Sequence, residues 1–136
     1  MADVQITEAI NLTDEILGYV EQAERSLSSA RNWALFDVFG GGFIVDMIKH
    51  SKLNRARTAM DDVNYLMQRL QQMLGSIQFP IDYHMEIGSF ATFADFFFDG
   101  IIADMYMGTK IAQSLDEVRK LKGGLRGLKS KLEGLR

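Results

Sequence analysis

One apolar spacing restricts this chain more than any other feature, because it occurs twice, 58 residues apart. Leu53, Ala56, Met60, Val63, Met67, Leu70 and Leu74 step alternately by three and four. Ile111, Ser114, Val118, Leu121, Leu125, Leu128 and Leu132 repeat those steps. Steps of three and four keep side chains on one stripe of a helix, the a/d seam by which helices pack lengthwise. Each stripe runs about 22 residues, or roughly 33 Å of helix. Two such stripes need apolar surfaces to lie against, which predicts a bundle of long helices.

The sequence ahead of each stripe repeats at the same offset without a gap. Asp37, Phe39, Gly42, Ile44, Asp46, Met47 and Lys52 are matched by Asp95, Phe97, Gly100, Ile102, Asp104, Met105 and Lys110. Ser51 is matched by Thr109, and both are good N-caps for the helix that each would begin. The expectation is an internal duplication of a unit made of a short helix, a turn and a long helix. The units cover about 34–75 and 92–133 of a single domain, 1–136. Gly42 and Gly100, one turn before Asp46 and Asp104, are expected at close helix contacts.

A further helix is expected over 13–31, with Thr13 as its cap and Ile16, Tyr19, Val20, Ala23, Leu27 and Ala30 on its apolar face. Trp33 is expected where the chain turns after it. Residues 79–87 read differently. Ile81, Tyr83, Met85 and Ile87 alternate with Asp82, His84 and Glu86, the period of a half-buried strand. A strand needs a partner. The candidates are Val4-Gln5-Ile6-Thr7 or the same strand of a second copy across a twofold axis. The fold class is therefore all-α, an antiparallel helical bundle with long coiled-coil-like helices and one minor strand or β-ribbon.

Composition narrows the chemistry. The chain has no cysteine, which excludes disulfides, thiolate metal sites and cysteine catalysis. No basic and apolar leader is visible, and the most apolar stretch, 90–107, is interrupted by Asp95, Asp99 and Asp104. A cytoplasmic protein is expected. The net charge of −3 is uneven: residues 1–116 carry 8 basic and 16 acidic side chains, whereas 117–136 carry 7 basic and 2 acidic. The basic end suits the last turns of a helix, or docks on the acidic body, or seeks an anionic surface.

Asp46 and His50, four apart on a helix, could share a metal ion with Asp104 if the two units face each other. The bland alternative pairs each aspartate with Lys52 or Lys110. Asp82, His84 and Glu86 share a strand face, again a possible chelate or simply a solvated edge. Glu21 and Glu24 form an acidic pair that would hold Mg²⁺ only with a second pair opposite, for which Asp61 and Asp62 are the candidates. Gly40-Gly41-Gly42 lacks the Lys-Ser/Thr of a phosphate loop, and two histidines make no triad. No catalytic residue and no resident cofactor is assigned.

The run W33-x3-D37-x2-GGG-x3-D46-x2-KH50, with FADFFFDG later, resembles small helical bacterial proteins to which no activity is assigned. The resemblance covers about residues 30–120. It implies a bacterial cytoplasmic setting and carries over no functional residue. The leading function is protein–protein interaction or scaffolding, as a homodimer. The alternatives are a metal-dependent hydrolase or metal-binding protein using Asp46, His50 and Asp104, with a divalent ion as cofactor, and a peripheral membrane or anionic-surface binder using 117–136.

Overall fold

A computed structural model of the chain describes residues 2–37, 42–80, 83, 87–95 and 111–135, and their side chains except those of 2, 34–37 and 42–46. Its elements are α1 (Ala2–Asp37), α2 (Gly42–Ser76), a helical stretch over 87–95 called α3, and α4 (Ile111–Leu135). The long helices have 36, 35 and 25 residues, so α1 alone reaches about 54 Å. The chain is an all-α helical bundle.

Both stripes fold as expected. All seven seam positions of α2 are buried, from Leu53 to Leu74, and six of the seven on α4 are buried, with Ile111 partly so. Two helix starts predicted from the sequence are absent, however. α2 runs through Ser51 without interruption, so Ser51 caps nothing. α1 begins at Ala2 and passes through Thr13, which is no cap either. Thr13 is fully buried inside the helix, and its hydroxyl donates to the carbonyl of Ala9 at 2.7 Å. That back-bond satisfies a polar group that burial would otherwise penalise.

Extending α1 to its true length reveals a third stripe. Ile6, Ala9, Thr13, Ile16, Val20, Ala23, Leu27 and Ala30 step by three and four, and all are buried. Ile10, Leu12 and Leu17 are buried beside the stripe and widen it. A wider face is what α1 needs, because α2 and α4 both pack against it. The alanines let neighbouring helices come close, while the isoleucines and Leu27 fill the space between them.

No strand is present among the described residues, and this corrects the expected strand 79–87 and its partner Val4–Thr7. Val4 to Thr7 lie within α1, Tyr83 is helical, and Ile87 lies in α3. Phe79, Tyr83, Ile87, Phe90 and Ala94 are buried or partly buried at steps of four, four, three and four. A four-residue step satisfies period two and period 3.6 alike, so the short run was ambiguous until its continuation was included. Pro80 also favours the helical outcome. Its carbonyl accepts from the Tyr83 amide at 2.9 Å, a turn that its fixed φ suits. Residues 81, 82 and 84–86 lie outside the described residues, as does Gly100. Gly42 is the first residue of α2, and its packing is likewise outside them.

α3 touches both neighbours of α1. The Gln71 side-chain amide on α2 donates to Asp95 at 2.9 Å. On the other side, the Phe93 ring lies over Gly124 of α4, where a Cβ would sit 2.7 Å from the ring edge. Gly124 thus has a reason to be glycine, whereas Gly123 and Gly127 face open space. Gly123→Ala and Gly127→Ala should each raise stability by about 0.5–1 kcal/mol through helix propensity. Gly124→Ala should lose that gain by displacing Phe93. Thermal melts of the three variants check this, and a Gly124→Ala variant as stabilised as the others would refute the close contact.

Candidate functional site

Two surfaces of α1 carry the charged chemistry. On the side of α4, Glu24 receives Lys122 at 2.8 Å and Arg119 at 3.3 Å, Glu21 receives Arg126 at 3.4 Å, and Asp14 receives Lys129 at 2.6 Å. The carboxylates descend α1 as the cations ascend α4. The cations come from the basic end of the sequence, which docks on the acidic body. Leu121, Leu125, Leu128 and Leu132 of the same helix are buried with it.

Glu24 is the best sheltered of these carboxylates. The hydrogen bond from Lys122 holds its carboxyl below the ordinary carboxylate value, desolvation opposes, and the Lys122 and Arg119 charges add to the lowering. Lys129 is shifted upward, first by its hydrogen bond to Asp14, with desolvation opposing and the Asp14 and Glu133 charges assisting. A depressed carboxylate contributes stability above its unfolded value and loses it as pH falls through the folded one. A raised lysine contributes below its unfolded value and loses it only as pH rises through the folded one.

The ladder also decides the fate of the acidic pair. Glu21 and Glu24 are engaged by α4 cations, while Asp61 and Asp62 are exposed on α2. No group of three potential metal-binding side chains occurs among the described residues. Of the expected ligand set Asp46, His50 and Asp104, only His50 has a described side chain, and it is exposed. The side chain of Asp46 and all of Asp104 lie outside the described residues, as do Asp82, His84 and Glu86.

On the side of α2, the two helices leave an open groove of ≈ 1230 Å³. Arg25, Ser26 and Ser29 line it from α1, and His50, Ser51, Lys52, Arg55 and Asp62 from α2. No hydrogen bond joins His50 to any of these serines among the described residues, so no nucleophile–base pair is formed there. Sequence reasoning missed this groove, since its cations come from two helices. The signal was present in α2: residues 47–60 contain Lys49, Lys52, Arg55 and Arg57 and no acid.

Removing the Glu24 charge should separate its roles. At 19% side-chain exposure it lies between exposed pairs and sheltered charge-assisted bonds, so Glu24→Gln should cost about 1 kcal/mol at neutral pH. The gap between wild type and variant should close as pH falls below the carboxylate range. Melting temperatures at neutral and acid pH test this, and equal stability at neutral pH would contradict it. No protein-family model, no curated protein and no solved structure matches the chain.

Proposed function

We propose that the chain is an interaction or scaffolding module that presents the α1–α2 groove to a second macromolecule. One observation carries this reading: an open concave surface of ≈ 1230 Å³ lies between two long helices and is lined by hydrogen-bonding and charged side chains. Ligand pockets for small substrates are more enclosed and more apolar. A groove flanked by helices buried along their whole seams suits a rigid presenting surface better than a reacting one.

The finer architecture belongs to the same reading. An antiparallel bundle with heptad-packed helices accounts for the buried seams and for the order of the α1–α4 ion pairs. A duplication of 34–75 and 92–133 accounts for the seams falling at one offset. A bacterial cytoplasmic setting agrees with the absence of any helix long and apolar enough to cross a membrane among the described residues. The α1–α4 ion pairs weigh against an anionic-surface role for 117–136, because four of its cations already face carboxylates. A divalent-metal role for Asp46, His50 and Asp104 has no observation in its favour.

Self-association is part of the proposal, but not by strand pairing. Helix faces are the means that remain. Light scattering at micromolar concentration should give twice 15.4 kDa, and a mass of 15.4 kDa would overturn the homodimer. For the groove, a photoreactive side chain at Gln22 or Asn54 should yield discrete adducts in cells. The same group at Gln68, exposed on α2 away from the groove, should yield none. Equal adducts at all three positions, or none, would reject the groove as the presenting surface.

A further inference from the structure

We propose that the α1–α2 groove takes an acidic peptide segment of a partner protein, held by Arg25, Lys52 and Arg55. This rests on the reading of the groove as a presenting surface and names the chemistry of its occupant.

Three observations converge on an anionic occupant. Arg25, His50, Lys52 and Arg55 line one groove, against a single lining carboxylate among the described residues, Asp62. The carboxylates of α1 that stand nearest in sequence, Glu21 and Glu24, are engaged by Arg119, Lys122 and Arg126. No described ion pair joins Arg25, Lys52 or Arg55 to an acid. Like charges a turn apart on a helix destabilise it by a few tenths of a kcal/mol per pair. α2 accepts that repulsion along the groove, and opposite charge from a ligand relieves it.

The donors suit carboxylates. Two guanidinium groups offer planar forks for bidentate carboxylate bonds, and Lys52 stands about one turn from Arg55 on α2. Ser26, Ser29 and Ser51 add hydroxyl donors along the same walls. The groove spans residues 19–29 of α1 and 47–62 of α2, or about 15–22 Å along the helices. That length admits an extended or helical peptide carrying several acidic side chains.

Other anionic partners fit less well. A flat bilayer cannot follow a concave surface between helices. A nucleic acid would meet a chain of net charge −3 with pI ≈ 5.3, whose overall field repels phosphates at long range. A short acidic segment needs only the local field of the groove.

The test uses the full chain and a fluorescein-labelled peptide of alternating glutamate and alanine, followed by fluorescence anisotropy. A glutamine-for-glutamate peptide, a single-stranded oligothymidylate and anionic phosphatidylserine vesicles serve as comparators. Saturable binding of the glutamate peptide is expected, weakened about tenfold or more by the double variant R25Q/R55Q and by raising salt to about 0.3 M. A double variant at Lys120 and Arg69, exposed outside the groove, should bind as wild type does. Unchanged binding in R25Q/R55Q, equal binding of the glutamine peptide, or tighter binding of oligothymidylate or vesicles would overturn the proposal. So would a large loss of melting temperature in R25Q/R55Q without ligand, which would mean that the chain already uses these cations internally. Groove adducts in the photocrosslinking experiment, with no glutamate-peptide binding, would reject the acidic occupant alone. Absence of those adducts would reject the presenting surface itself.

Discussion

The structure depends on one helix meeting two demands. α1 offers a stripe from Ile6 to Ala30 and widens it with Ile10, Leu12 and Leu17, so that α2 and α4 can both bury their seams on it. Each fully buried aliphatic side chain contributes about 1.5–3 kcal/mol relative to exposure. Long helices get most of their stability from such packing and little from propensity. The glycines of α4 show the same priority. Their weak propensity is tolerated because Val118, Leu121, Leu125 and Leu132 are fully buried. α2 and α4 solve one local problem differently. Leu66 stands immediately before a seam residue and is buried, whereas Gly124 at the equivalent place gives its space to the Phe93 ring.

Charge is sorted by face around α1. Asp14, Glu21 and Glu24 turn to the cations of α4, which ties the basic end of the chain to the body. The side toward α2 keeps Arg25 beside Lys52 and Arg55. A chain that is acidic as a whole therefore gathers three cations in one groove between two helices. Net charge alone gave no indication of that arrangement, because it sums over faces that never meet.

The seams of α2 and α4 were legible from spacing alone, since many successive steps of three and four fit only a helix. The start of α1 was not. Thr13 has the chemistry of a cap, and Val4 to Thr7 alternate like a strand, so two local signals concealed a long helix whose evidence lay in tertiary burial. Residues 79–87 failed for a related reason: the four-residue interval is shared by both periods, and the short window could not separate them. The ion ladder and the groove lie further from sequence logic. Glu24 and Lys122 are 98 residues apart, and Arg25 and Arg55 line one groove from two helices, so only the docking of α4 and α2 brings these groups together.

The same separation affects how the protein is made. α1 leaves the ribosome first, and α2 can cover part of its apolar face soon afterwards. The rest of that face waits for α4, the final helix of the sequence shown. At about 5–20 residues per second, the wait lasts on the order of ten seconds. Throughout that interval the nascent chain carries an uncovered aliphatic stripe with Glu21 and Glu24 at its edge. A stop codon before residue 118 would make the exposure permanent. Such a truncated product would be a client for chaperones and proteases even with α2 already folded.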